Sequence, residues 1–577
     1  MNPSTALATV LTDELARCGL TDAVVCPGAR NTALLLALER HPAIRVHVRI
    51  DERSAGFCAL GLGRCTGRPA AVVCTSGTAA ANLHPAVVEA HESGTPLLVL
   101  TADRPAEMRD IGSNQVIDQT RLYGTAVRWF CEIAPDTAPA APGPYWRSTI
   151  CQAWRRTTGT DPGPVHLDVP FRDPLVPGTL AELPAGLDGR PDGAPWTRTA
   201  DRGEVPAEPA PQVERGVIIC GDGCRNPAAM VALAEATGWP LLAEPTSGAR
   251  NAGIALRAPR ALLGDPGFAR AHPAELVVTS GRPGLSRGTL AYLRTARSHI
   301  VVEPGPRVPD PVRTASLVVP ALAPPERPVP AGWWTRRWRT ADAAVSAALD
   351  RELDRRPGLD EPRVARDLVR ALPERALLLA GPSMPIRDLD LVAPGRPGIR
   401  MIANRGASGI DGVVSTAVGA ALAHGGPAYA LIGDLTLLHD RNGLLPGPGE
   451  AAPDLTIVVL ANDGGGIFSE LEHGDLGRVP GWSTTVERLF GTPHGVQVGT
   501  VAAAAGARHR LVRGPGELTD AIRAGAGGLR IVEVRTDRAE QSALRRELRE
   551  VIATRLAGCT GSDAERDPAL GARGAGA

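Results

Sequence analysis

A chain of 577 residues has room for three to four domains at about 150 residues each. Its 43% hydrophobic and 21% charged residues are ordinary for a globular protein. Lys+Arg and Asp+Glu balance at 62 each, which excludes a global field directed at nucleic acid or a membrane surface. Every basic side chain is arginine, so Schiff-base chemistry through a protein lysine is excluded as well.

The ten cysteines are scattered and form no CxxC pair, so neither a zinc ribbon nor a thioredoxin-like site is expected. Reduced, mostly buried thiols in a cytoplasmic protein fit this usage better. The first twenty residues, MNPSTALATVLTDELARCGL, carry acids inside their apolar stretch and predict an amphipathic helix, not a signal peptide. No run approaches the roughly 18 apolar residues that would span a membrane.

From there, short β-rich runs alternate with Ala/Leu-rich helical stretches. DAVVCPG, RPAAVVCTSGT and PLLVLTADRP read as strands ending in Gly, Ser, Thr or Asp, with helices at Ser54–Thr66 and Thr78–Glu92 between them. This alternation predicts an α/β protein built of doubly wound parallel sheets, with ligands at the carboxyl ends of the strands. Pro-rich stretches divide the chain into a domain over 1–183, a linker over 184–211, and a smaller α/β domain over 212–320. A second linker over 321–358, a domain over 359–557 and a disordered tail over 558–577 follow. Three sheets of similar size suggest duplication.

The candidate chemistry lies at strand ends. In the N-terminal unit Glu52 follows a β-run and precedes a helix; a partner for Arg53 or for the helix terminus is the simpler reading of its carboxylate. Thr75-Ser76-Gly77-Thr78 is a second polar strand end on the same sheet. In the middle unit, Gly221-Asp222-Gly223 predicts an ordinary strand-to-helix turn, because Asn251 does not end a β-run. In the C-terminal unit, one strand ends at Gly433-Asp434-Leu435 and another at Asn462-Asp463, before Gly464, Gly465 and Gly466. A carboxylate, an amide oxygen and a backbone carbonyl suit an octahedral Mg²⁺ that also holds a diphosphate. Glycines and a helix N-terminus let backbone N–H groups approach the phosphates. The competing reading makes Asp434 a helix cap and the glycines a turn.

Taken together, these residues resemble the thiamine-diphosphate enzyme superfamily, whose three domains bind the pyrimidine, fill the middle and bind the diphosphate. Its paired-Asn metal motif departs here, with Ala461 before Asn462. Twelve segments in order, among them RIDERSAGF, TSGTAAANLHPAVVEA, LLAEPTSGAR, NRGASGIDG, NDGGGIFS and LFGTPHG, are similar to the menaquinone-pathway 2-succinyl-5-enolpyruvyl-6-hydroxy-3-cyclohexene-1-carboxylate (SEPHCHC) synthases.

That resemblance implies decarboxylation of 2-oxoglutarate on thiamine diphosphate and 1,4-addition of the acyl carbanion to isochorismate. It implies Glu52 as the carboxylate on the cofactor's pyrimidine ring, and Ile410 as the residue holding the cofactor bent. Ser383, Ser408, Gly433, Asp434, Leu435 and Asn462 would bind cofactor, with Asp434, Asn462 and Gly464 on Mg²⁺ or, as an alternative ion, Mn²⁺. Arg387 and Arg405 would serve the donor; Arg30, Arg104, Gln115 and Arg287 the acceptor; Ile467 and Phe468 an apolar wall. The resemblance also implies a homodimer or homotetramer sharing sites between chains. Ala29 stands where the family has Ser, which motivates an alternative: a diverged lyase or carboligase with another acceptor. A catalytically inert scaffold is the third reading, opposed by the joint presence of Glu52, Asp434 and Asn462.

Overall fold

The computed structural model describes residues 1–135, 142–177, 186–200, 205–525 and 527–560. Its first sheet has six strands in the order Arg45–Val48, Asp22–Val25, Ala70–Cys74, Leu97–Asp103, Pro164–Pro170 and Trp129–Glu132. The last sheet follows the same order: Arg400–Ile402, Leu377–Ala380, Ala428–Gly433, Leu455–Ala461, Leu529–Arg535 and Arg508–Val512. Between them in sequence lies a five-stranded sheet centred on Leu276–Ser280. Pairings between the named strands are parallel, as expected for near-continuous apolar runs buried on both faces by helices. The first and last sheets thus share one strand order.

The two six-stranded sheets are joined through helices Glu52–Thr66 and Val413–His424, which share one core that includes Phe57, Leu60, Val414 and Val418. Their approach is set by glycine: a Cβ on Gly61 would lie 2.1 Å from the Thr416 carbonyl oxygen, and one on Gly419 2.0 Å from that of Cys58. Helix Glu52–Thr66 is thereby held rigidly with its first turn at the strand ends of its own sheet.

Several expectations need correction. The helix expected over Thr78–Glu92 is two helices, Thr78–Asn82 and His84–Ser93. Pro85 supplies the physical reason, since it lacks the N–H that would continue the first helix. The stretch 321–358 is not a linker throughout: it contains the 23-residue helix Trp333–Arg355. Trp334, Trp338, Val345, Leu349 and Leu353 bury that helix in a core continuous with the middle and C-terminal sheets. Within 184–211, Glu208–Pro209 pairs in parallel with Leu322–Ala323, so the two Pro-rich joints meet in a small ladder. Residues 558–560 close the helix Arg538–Thr560, and the rest of the expected disordered tail lies outside the described residues. Among the described residues no helix is long and apolar enough to cross a membrane.

At the carboxyl end of strand Leu241–Ala243, buried Glu244 accepts the Leu285 N–H at 2.8 Å. Burial first, then repulsion from Asp390, pushes its pKa from the usual 4.5 up to about 8. An acid whose pKa rises on folding favours the native state at low pH and loses that contribution as pH rises through the folded value. The window therefore runs from 4.5 to about 8. Glu244→Gln, which keeps the acceptor without the charge, is expected to raise the melting temperature more at pH 8.5 than at pH 6. Equal shifts at the two pH values would contradict this.

Candidate active site

Strand Ala428–Gly433 runs directly into helix Asp434–His439, which puts Asp434 at a strand end with its side chain 2% exposed. Its Oδ2 accepts the backbone N–H groups of Asn462 at 2.9 Å, Asp463 at 2.6 Å and Gly464 at 3.3 Å. Its Oδ1 accepts the N–H of Leu435 at 2.7 Å. Burial pushes the Asp434 pKa upward against the opposing pull of the Leu435 N–H and of His494, whose Nε2 lies 3.4 Å from Oδ2. Asp434 thus ties one strand end to the next and fixes the loop at 462–464.

Asn462 Nδ2 donates to Glu361 Oε1 at 2.7 Å, while its buried Oδ1 has no hydrogen-bond partner among the described residues. An orphaned buried acceptor beside a buried carboxylate is costly unless a donor or a cation completes it. Gly464 adopts φ 141°, and a Cβ there would lie 2.0 Å from the Gly491 carbonyl oxygen, so only glycine fits. Asp463 turns outward, accepting the N–H groups of His494 at 3.0 Å and Gly495 at 2.8 Å.

These residues open into a cavity of about 330 Å³. Its walls include Gly433, Leu435, Gly464, Ile467, Phe468 and Ile410, all singled out from the sequence. Ser383, Ser408, Arg387 and Arg405 complete the expected set on the same walls. Ser383 at φ 67° and Ser408 at φ 61° adopt left-handed backbone conformations. Strain of this kind persists where surroundings enforce it and gathers at ligand sites. Arg387 donates to the Ser383 carbonyl at 2.6 Å. Burial, then the like charges of Arg260 and Arg405, pull its pKa down to about 10. Crowded, partly desolvated guanidinium groups make this wall a site for an anion.

The N-terminal residues gather at a second place. Glu52 opens the helix Glu52–Thr66 half-buried, and its carboxylate makes no hydrogen bond or ion pair among the described residues. Arg104 donates to the Gln115 carbonyl at 3.0 Å, and Gln115, at φ 59°, donates through Nε2 to the Ser76 carbonyl at 3.0 Å. Burial and then the neighbouring Arg30 lower the Arg104 pKa, so those two guanidinium groups also crowd each other. Arg30 itself donates to the Phe171 carbonyl at 3.0 Å. None of Glu52, Arg30, Arg104 and Gln115 lines the 330 Å³ cavity.

Arg287 is not brought to either cluster. Its side chain is 80% exposed and paired at 3.0 Å with Glu472, itself 74% exposed. In the middle domain, Asp222 is buried and paired with Arg64 at 2.7 Å and Arg282 at 2.6 Å, an ion cluster that satisfies the carboxylate. Three groups had no role in the sequence reading. Glu361 sits at the start of a helix with no motif around it, and Arg260 is one arginine among many. His494 lies within LFGTPHG, and that motif was the available signal.

The residues present fit a diphosphate held by a divalent cation. The fit rests on the unpartnered Asn462 Oδ1, the buried Asp434 carboxylate and the glycine-only turn at 464. Residues 5–122 match the family described as thiamine pyrophosphate enzyme, N-terminal TPP binding domain. Together these place the chain in the class of thiamine-diphosphate-dependent enzymes that work with a divalent metal.

Within that class the similarity is specific. The chain is 56% identical to the SEPHCHC synthase of Thermobifida fusca (strain YX), covering 96% of this chain and 99% of that protein. It is 46% identical to that of Saccharopolyspora erythraea, over 97% of this chain and all of the relative. With the Nocardia farcinica protein it shares 43% identity over 96% of its own length. The chain belongs to the SEPHCHC synthase family.

Proposed function

We propose that the protein decarboxylates 2-oxoglutarate and adds the resulting four-carbon acyl unit to isochorismate, giving SEPHCHC and CO₂, in the cytoplasm as a step toward menaquinone. The observation that carries this reading is the buried Asp434 carboxylate beside the partnerless Asn462 Oδ1. Thiamine diphosphate, when bound, supplies the electron sink for the carbanion left by loss of CO₂.

The chain's own residues bind and position around it. Asp434, Asn462 Oδ1 and the Gly464 carbonyl hold the cation. Gly433, Leu435, Ser383 and Ser408 line the diphosphate end, and Ile410 supports the cofactor as an apolar prop. Glu52 would hold a proton toward the pyrimidine ring nitrogen, since its carboxylate has no other partner among the described residues. Arg387 and Arg405 bind the donor carboxylates; Arg30, Arg104 and Gln115 bind those of the acceptor. Ile467 and Phe468 exclude water from the reacting carbon. Arg287, paired outside the cavity, has the least support as an acceptor residue.

Because Glu52 and the acceptor arginines share no cavity wall with Asp434 in one chain, the reading includes an assembly of at least two chains. Each site would then combine the N-terminal domain of one with the C-terminal domain of the other.

Purified protein given Mg²⁺, thiamine diphosphate, 2-oxoglutarate and isochorismate is expected to form SEPHCHC, detected by mass spectrometry. Release of CO₂ without that product would transfer the reading to another acceptor, and failure to bind cofactor would remove it. Light scattering is expected to give at least the dimer mass. An active monomer would overturn the shared-site geometry.

A further inference from the structure

We propose that Glu361 is a positioning residue: it locks the Asn462 amide in the one orientation that presents oxygen, not nitrogen, to the cation. This rests on the reading of Asn462 as a metal ligand.

An asparagine amide is nearly symmetric in shape, and its two ends carry opposite polarity. Turned the wrong way, it would aim two N–H donors at a cation. Ala461 leaves no second amide to compensate. Glu361 supplies the discrimination. Its side chain is buried at 1% exposure in the first turn of helix Glu361–Ala371, and its Oε1 accepts Asn462 Nδ2 at 2.7 Å. Both Glu361 oxygens accept hydrogen bonds, so the amide nitrogen must face Oε1 and Oδ1 must face away.

Glu361 is itself held on both oxygens. Thr536 Oγ1 donates to Oε1 at 3.2 Å, and Arg545 donates to Oε2 at 2.9 Å. Arg545 also bonds Asp388 at 2.6 Å, so one buried guanidinium bridges two carboxylates. The backbone N–H of Glu361 donates to Gln541 Oε1 at 2.9 Å, which fixes the helix start. The carboxylate is therefore held in place with both oxygens accepting, and the polarity of Asn462 follows from it. Partners that orient a metal ligand in this way are commonly worth about 10- to 100-fold in metal affinity.

The test measures Mn²⁺ affinity by electron paramagnetic resonance, with thiamine diphosphate present throughout. Glu361→Gln is expected to weaken Mn²⁺ binding about tenfold or more. Asp388→Asn, which touches the same arginine but not Asn462, is expected to leave it within about twofold. In an Asn462→Asp background both terminal side-chain atoms are oxygens, so adding Glu361→Gln should cause no further loss.

A wild-type affinity in Glu361→Gln, or an equal loss in both backgrounds, would overturn the proposal. Asn462→Ala separates this from the underlying reading. If that variant also binds Mn²⁺ normally, Asn462 is not a ligand; if it alone loses binding, only the role of Glu361 fails. A crystal structure of the wild-type protein with Mn²⁺ and thiamine diphosphate needs no variant to fold. It should show Oδ1 on the metal and Nδ2 on Glu361, and a reversed amide would overturn the idea.

Discussion

Glu52→Gln is expected to lower turnover by about 10³-fold, within the range for loss of a positioned proton-transfer group, while Mg²⁺-dependent cofactor binding persists. The structure leaves Glu52 as a charge in the first turn of helix Glu52–Thr66, but gives it neither of the two local hydrogen-bonding duties. Capping of helix Glu52–Thr66 is done by Asp51, whose Oδ1 accepts the N–H groups of Arg53 at 2.9 Å and Ser54 at 3.3 Å. Arg53 is no partner either, since its guanidinium donates to the His439 carbonyl at 2.8 Å. Both hydrogen-bonding duties are filled by neighbours, and Glu52 is left half-buried at the strand ends with no hydrogen bond or ion pair among the described residues. Removing its charge from the first helical turn should cost about 1 kcal/mol or less. The melting temperature should shift little as activity disappears. Steady-state kinetics on the folded variant decide the matter: turnover within tenfold of wild type would end the assignment of Glu52.

How far the sequence discloses such a site depends on the range of the contacts that build it. The strand ends were legible because each is a local pattern, an apolar run closed by Gly, Ser, Thr or Asp. Asp434 and Asn462 therefore stand where that pattern puts them, at the ends of adjacent strands. The helix Trp333–Arg355 was obscured by the prolines before it, although Trp334 and Trp338, one turn apart, mark its buried face. Pro85 was the available sign that Thr78–Glu92 could not be one helix.

Glu361 was not legible at all. It meets Asn462 across 101 residues, and nothing near it in the chain announces the encounter. The arginines fall between these cases. Arg387 and Arg405 came with motif context and line the cavity, whereas Arg287 came with a weaker one and points into solvent against Glu472. For long, mobile cations the local sequence sets the backbone position, and packing decides where the guanidinium goes.

Removing the Asp434 side chain tests the other half of the site, and two substitutions separate its two duties. Asp434→Ala deletes the acceptor for four backbone N–H groups, those of Leu435, Asn462, Asp463 and Gly464, in a buried place. A buried donor left without a partner costs about 1–3 kcal/mol, so this variant is expected to melt several degrees lower as well as to lose the cation. Asp434→Asn keeps one oxygen for some of those N–H groups, removes the charge and turns an amide nitrogen toward the others. It is expected to melt less far below the wild type than Asp434→Ala and still weaken Mg²⁺-dependent thiamine diphosphate binding about 100-fold, because a hard divalent cation depends on anionic oxygen. Calorimetric titration at a cofactor concentration that saturates the wild type reads this directly, with melting temperatures measured alongside. A helix-start residue of structural importance alone would show the opposite pattern, with Asp434→Asn binding cofactor as tightly as the wild type and only the melting temperature of Asp434→Ala affected. That outcome would remove the cation from this end of the sheet, and with it the reason for the unpartnered oxygen on Asn462.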